Sequence, residues 1–167
     1  KIIEEFSDES GVSRYLDYHV YAPKEMFSFL TSDGQKLDGY IIKPIDFDET
    51  RKYPLVLDIY GGPGSQGVFN TFGSNGWHQW LAQNGFVIAS VNNRGNGGYG
   101  YEFEKTVHRQ LGKWESHDFV ETAEYLASMP WIDGENMAIR GHSYGGYTSS
   151  YTMLTQPGVF KVSLTAA

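Results

Sequence analysis

The sequence predicts an α/β fold, a mostly parallel sheet with helices on both faces, and three observations carry that expectation. Short apolar, β-branched runs recur along the chain, helical stretches with 3.6-residue periodicity separate them, and glycine-rich turns close several of the runs. A chain of 167 residues, 40% hydrophobic and 20% charged, suffices for one core.

Residues 1–25 are acidic and polar, show no sustained period and run to Pro23 near their end, so they read as an entering segment or linker from a preceding domain. The domain itself is placed at 26–167. Met26–Thr31 and Leu37–Lys43 flank Ser32-Asp33-Gly34, a strand-turn-strand pattern. Tyr53–Tyr60 reads as a buried strand that stops at Gly61-Gly62-Pro63-Gly64. Trp77, Trp80 and Leu81 space a helix that ends at Asn84-Gly85, and Phe86–Val91 forms the next buried strand. A glycine-rich loop over 92–100 leads to helical stretches at Tyr101–Arg109 and His117–Met129, the second ended by Pro130. Met137–Arg140 is a short strand, Tyr144–Gln156 a helix and Phe160–Leu164 a last strand.

Composition excludes several classes of function. A net charge of −7 leaves no basic surplus for phosphates or anionic lipids, so neither nucleic acid nor a membrane surface is an expected partner. There is no cysteine and no cluster with metal-ligand spacing, and no cofactor or metal is expected. No run approaches the roughly 18 apolar residues of a membrane span, and the chain reads as soluble.

The chemistry is concentrated around Ser143 in Gly141-His142-Ser143-Tyr144-Gly145-Gly146. G-x-S-x-G is a weak signal by itself, but here a strand precedes it and a helix follows, the setting of a nucleophile elbow. Such a turn exposes the serine hydroxyl and sets the Tyr144 N–H at a helix N-terminus, where an oxyanion is favoured. The competing reading is a turn whose glycines merely allow close packing. A second oxyanion donor is needed, and Tyr60 stands at the carboxyl end of a strand, where ligands of parallel sheets gather. Its phenol serves that role or simply packs on the adjacent loop; the residues alone do not choose. Gly95-Asn96-Gly97-Gly98-Tyr99-Gly100 matches G-x-G-x-x-G, but the next strand arrives too late for a compact dinucleotide-binding unit, so an active-site rim is the better reading. Arg94 is expected to hold that loop through backbone carbonyls or a carboxylate.

Tyr53-Pro54-Leu55, Tyr60-Gly61-Gly62-Pro63-Gly64-Ser65-Gln66, Asn93-Arg94-Gly95 with Gly97-Gly98, and Gly141-His142-Ser143-Tyr144-Gly145-Gly146-Tyr147 follow one another in that order. Together they resemble the catalytic domain of the prolyl oligopeptidase family, in its dipeptidyl peptidase IV branch, over about residues 26–167. The resemblance implies an α/β-hydrolase fold paired with a β-propeller, and serine-dependent cleavage of oligopeptides, often after a penultimate proline. It implies Ser143 as the catalytic nucleophile, Tyr60 and the Tyr144 N–H as oxyanion donors, and the Tyr144 side chain as a substrate-binding wall for the residue preceding the scissile bond. A peptide substrate, the remainder of the hydrolase domain and the propeller are the implied partners. A homo-oligomer stays open, and a periplasmic or secreted location is favoured over others.

In α/β-hydrolases the triad runs Ser, acid, His along the chain. No Asp, Glu or His follows Ser143 in these residues. His142 diverges from its neighbour in an elbow, and His78, His108 and His117 read as surface or structural residues. The expectation is a hydrolase domain truncated before its last strands, inactive alone. An esterase or acylaminoacyl-type peptidase, and a non-catalytic hydrolase-like binding module, are the alternatives.

Overall fold

The computed structural model describes residues 20–73 and 75–167, together with Gly11 and Arg14. The linker reading of residues 1–25 and the adjacent acids Glu4-Glu5 therefore lie largely outside the described residues. Residues 21 and 22 are packed on the domain: Ala22 is buried, and its backbone exchanges two 2.8 Å hydrogen bonds with the side-chain amide of Gln79.

Six strands, β1 (Lys24–Leu30), β2 (Lys36–Ile42), β3 (Tyr53–Ile59), β4 (Val87–Asn92), β5 (Ile132–His142) and β6 (Val162–Ala166), form one sheet in the order β1-β2-β4-β3-β5-β6. The hairpin β1–β2 and the pair β2–β4 are antiparallel, whereas β4–β3, β3–β5 and β5–β6 are parallel. Only β2 thus runs against the rest. β5 is longer than the expected Met137–Arg140, because Ile132 already pairs with Tyr53 ahead of an irregularity in the ladder.

Within residues 20–73 and 75–167 the helices are α1 (Gly76–Gln83), α2 (Tyr101–Lys105), α3 (Lys113–Ala127) and α4 (Tyr144–Thr155). α2 is shorter than the helix expected over Tyr101–Arg109. The chain leaves it through turns, and Arg109 takes a positive φ of 57° that an α-helix does not admit. α3 begins four residues before the expected His117, since Glu115 accepts the Gly112 N–H at 2.9 Å and closes its first turn.

Side-chain alternation along β3 divides the core. Leu55, Leu57 and Ile59 face one layer with Phe119, Ala123 and Leu126 of α3 and Met153 of α4. Val56 faces the other layer, with Leu81 and Ala82 of α1. β4 is buried along its whole length. The sheet is covered on both faces, as the sequence predicts.

One polar cluster ties the layers together beside the site. Arg94, 5% exposed, directs its guanidinium at the fully buried Asp118 on α3 (Nη2–Oδ1 2.6 Å, Nε–Oδ1 3.0 Å) and at Asp33 in the β1–β2 turn (Nη1–Oδ2 2.5 Å). The Arg94 N–H also donates to Asp118 at 2.6 Å, and the guanidinium lies 4.4 Å from the Trp114 ring centroid. The anchor expected of Arg94 is a carboxylate.

Removing one member of a buried ion pair strands the other. Asp118→Ala is therefore expected to lower unfolding free energy by about 3–5 kcal/mol in urea titrations, whereas Asp33→Ala, at the wetter end, costs about 1 kcal/mol or less. The hydrogen bond from Arg94 holds the Asp33 carboxyl at about 2, below its ordinary 3.8. A depressed acid stabilises the fold once it is ionised in both states, so the Asp33 contribution is complete above the ordinary value. It is lost as pH falls toward 2. Urea midpoints measured across that interval should fall more steeply in the parent than in Asp33→Asn.

Candidate active site

After β3 the chain adds β4 on one side of it, then crosses back to add β5 on the other. The connections above the carboxyl ends of β3 and β5 therefore diverge, and such a switch point opens a crevice. Tyr60 is the residue immediately after β3, and Ser143 the residue immediately after β5.

The two ends are brought together by backbone contact. A Cβ on Gly145 would lie 2.5 Å from the Ile59 carbonyl oxygen and 3.1 Å from the Tyr60 Cα. A Cβ on Gly141 would collide with the Gly145 carbonyl, and one on Gly146 with the Ala166 carbonyl. Three glycines thus let the first turn of α4 sit on the ends of β3, β5 and β6. Ser143 itself has φ 58° and ψ −121°, a conformation that costs a non-glycine residue about 1–3 kcal/mol. It is held there because its N–H donates to Ala166 O at 2.8 Å while its carbonyl accepts the Tyr147 N–H at 3.1 Å. The residue is exposed, and among the described residues no side chain hydrogen-bonds its hydroxyl. The Tyr144 N–H, at the first helical position, likewise finds no acceptor among them and is free for a developing negative charge.

Tyr60 is 48% exposed, with its ring against Gly62 and its centroid 6.2 Å from that of Tyr144. Its loop is fixed by the glycine-rich loop after β4. Gly64 N donates to Gly95 O at 2.8 Å and Gly97 N to Ser65 O at 2.9 Å. The buried Asn92 side chain accepts from both Gly67 N and Val68 N at 3.0 Å. The segment 95–100 is thus a brace for the loop that carries Tyr60.

The Tyr144 phenol donates to Glu115 Oε1 at 2.7 Å. Burial, this hydrogen bond and the adjacent negative charge all push the phenol well above the ordinary tyrosine range. Tyr147 meets the Tyr144 ring edge-on at 5.4 Å, and its own hydroxyl donates to Leu111 O at 3.1 Å.

Two of the described histidines are engaged by carboxylates. His78 is buried on the α1 face, its Nε2 2.6 Å from Asp58 Oδ2, while Arg140 Nη1 donates to Asp58 Oδ1 at 2.9 Å. Burial alone would raise the Asp58 carboxyl, but these two partners outweigh it and the net shift is downward. His117 lies 3.5 Å from Asp118 Oδ1, and the interaction with that carboxylate raises its pKa. His108 and His142 are exposed.

Sequence reasoning missed Glu115, Asp118 and Asp33. Glu115 had a signal, since Gly112-Lys113-Trp114-Glu115 has the spacing of a helix-start pattern. The partnership of Asp118 and Asp33 with Arg94 spans 24 and 61 positions, and no local pattern carries it.

The profile of the prolyl oligopeptidase family matches residues 73–167, from just before α1 through the elbow and β6. The chain belongs to that family. Its dipeptidyl peptidase IV branch is supported by the relatives. Mouse dipeptidyl peptidase 8 is 39% identical over 88% of the chain, and human prolyl endopeptidase FAP is 36% identical over all of it. The crystal structure of Porphyromonas gingivalis dipeptidyl peptidase 4 superposes with a TM-score of 0.89 over 96% of the chain, at 36% identity, and the fold is that of an α/β-hydrolase. The chain spans 17% and 21% of those two relatives and 23% of the solved structure.

In a prolyl oligopeptidase family elbow built this way, glycine is required at 145 for space. Alanine usually stabilises a helix by up to about 1 kcal/mol over glycine. Gly145→Ala should nevertheless lose about 1–3 kcal/mol because its Cβ meets Ile59 O. Gly67→Ala, with nothing within 4 Å, should stay within about 0.5 kcal/mol of the parent. Paired urea melts give both values.

Proposed function

We propose that this chain is the nucleophile-bearing part of a serine peptidase of dipeptidyl peptidase type, cleaving oligopeptides through a Ser143 acyl-enzyme, with preference for a penultimate proline. The observation that carries the reading is the strained, exposed Ser143 at the start of α4, packed directly against the strand end that bears Tyr60.

In the mechanism, Ser143 Oγ attacks the scissile carbonyl carbon as its proton passes to a general base. The carbonyl oxygen becomes an oxyanion, which the Tyr144 N–H and the Tyr60 phenol stabilise as hydrogen-bond donors. Collapse of the tetrahedral intermediate releases the amine, which takes up the proton, and leaves the acyl group on Ser143. Water then adds to the ester, and collapse of the second tetrahedral intermediate releases the acyl group as a carboxylic acid and returns the proton to Ser143 Oγ. Tyr144 contributes its backbone to the oxyanion and its ring to the wall of the pocket for the residue before the scissile bond.

The base and its orienting acid come, on this reading, from outside these 167 residues, because no His, Asp or Glu follows Ser143 in them. These strands and helices are then part of the hydrolase domain, and the segment ahead of β1 leads into it from a propeller. On this reading the 167-residue chain alone is inactive or nearly so.

Fluorophosphonate labelling of the full-length enzyme should fall on Ser143 and vanish in Ser143→Ala. Absence of labelling in the parent would favour a non-catalytic binding module, and turnover of esters without amides an esterase. Tyr60→Phe keeps the ring and removes one oxyanion donor. Steady-state kinetics on a dipeptidyl anilide should show kcat lowered by about 10²–10³ with KM little changed.

A further inference from the structure

The Glu115 carboxylate touches neither the nucleophile nor an oxyanion donor atom, yet it is fully buried, with no cation at ion-pair distance among the described residues. A buried carboxylate is costly unless its oxygens are hydrogen-bonded. Each oxygen here has one donor, the Gly112 N–H on Oε2 and the Tyr144 O–H on Oε1. The Tyr144 ring is therefore held at its hydroxyl by Glu115 and packed between Tyr60 and Tyr147. Tyr147 is tied to Leu111, the residue before Gly112. One turn, Leu111-Gly112, thus anchors both tyrosines of the wall.

We propose that Glu115 is a positioning residue that sets specificity for the residue preceding the scissile bond by locking the Tyr144 ring in place; the proposal rests on the serine-peptidase reading of Ser143. A ring pinned at its far end cannot swing aside or follow the substrate. A compact cyclic side chain such as proline gains from that fixed face, whereas alanine leaves it largely unfilled. The Tyr144 N–H is held by α4 itself, so the oxyanion step does not depend on Glu115.

The test uses the full-length enzyme, two dipeptidyl anilides that differ only in proline or alanine before the scissile bond, and a small phosphonofluoridate with nothing to place in that pocket. Glu115→Met keeps about the length and volume of the side chain and removes both acceptors, whereas a glutamine could still donate its amide N–H to the Tyr144 phenol oxygen. For the proline substrate kcat/KM should fall about tenfold, chiefly through KM, with the alanine substrate within about threefold and the labelling rate of Ser143 within about twofold. Tyr144→Phe should give the same pattern, and the double variant should be no worse than Tyr144→Phe, since Glu115 acts through that phenol. A parallel fall of all three rates, an unchanged proline-to-alanine ratio, or additive losses in the double variant would each overturn the proposal. Should Glu115→Met not fold, Tyr144→Phe carries the test on the proline-to-alanine ratio and labelling rate. If Ser143 of the parent does not label at all, the underlying peptidase reading fails and not only the role of Glu115.

Discussion

The site depends on one backbone contact, the seating of the first turn of α4 on the end of β3. With no side chain at 145, the helix reaches the Ile59 carbonyl, and this approach sets the distance between the strand that delivers Tyr60 and the turn that delivers Ser143. Hydrogen bonds and charges could not substitute for it. They act over ranges that tolerate movement of several tenths of an ångström, whereas a carbonyl oxygen at van der Waals contact does not. The positive φ of Ser143 follows from the same constraint: the chain must leave β5 and enter a helix within one residue, and the bonds to the Ala166 carbonyl and from the Tyr147 N–H hold the turn closed.

The sheet order explains why this contact lies where a ligand can reach it. β4 was added to one side of β3 before the chain crossed over to form β5, so the connections above β3 and β5 separate and leave the crevice open. The loop carrying Tyr60 would be slack if left to itself, being rich in glycine. It is braced by the equally glycine-rich loop after β4, backbone to backbone, with Asn92 closing the far end. Two flexible sequences thus make one fixed structure because each supplies the other's hydrogen-bond partners.

The fold was largely legible because its signals are local. Alternation and β-branching marked β3 and β4, and glycine and proline marked the ends of α1, α3 and α4. Helix α2 was overestimated, since Thr106 to Arg109 look helical in composition but form turns, with His108 N bonded to Lys105 O and Gln110 N to Val107 O. β5 was underestimated because Asp133-Gly134-Glu135-Asn136 is polar and interrupts the apolar run, whereas the ladder to β3 begins at Ile132 and resumes at Met137. At the site, Ser143 and Tyr60 stood out because each sits at the end of an element that the sequence marks. The carboxylates that hold their surroundings did not, because a partner 24, 29 or 61 residues away leaves no periodic trace.

Two of those hidden carboxylates share a helix. Glu115 and Asp118 lie three residues apart on α3, both fully buried, and two unpartnered anions so placed would repel one another and resist burial. Each is compensated separately. Asp118 takes the guanidinium and N–H of Arg94, while Glu115, in the first turn, takes the Gly112 N–H and the Tyr144 O–H near the positive end of the helix. Arg94 opens the loop that braces Tyr60, and Tyr144 follows Ser143. The first two turns of α3 therefore join both halves of the site although none of their side chains hydrogen-bonds Ser143. A one-residue slip of the helix would move both carboxylates by about 100° around its axis and break both links together, so the register fixed at Gly112 is as much a part of the site as the elbow.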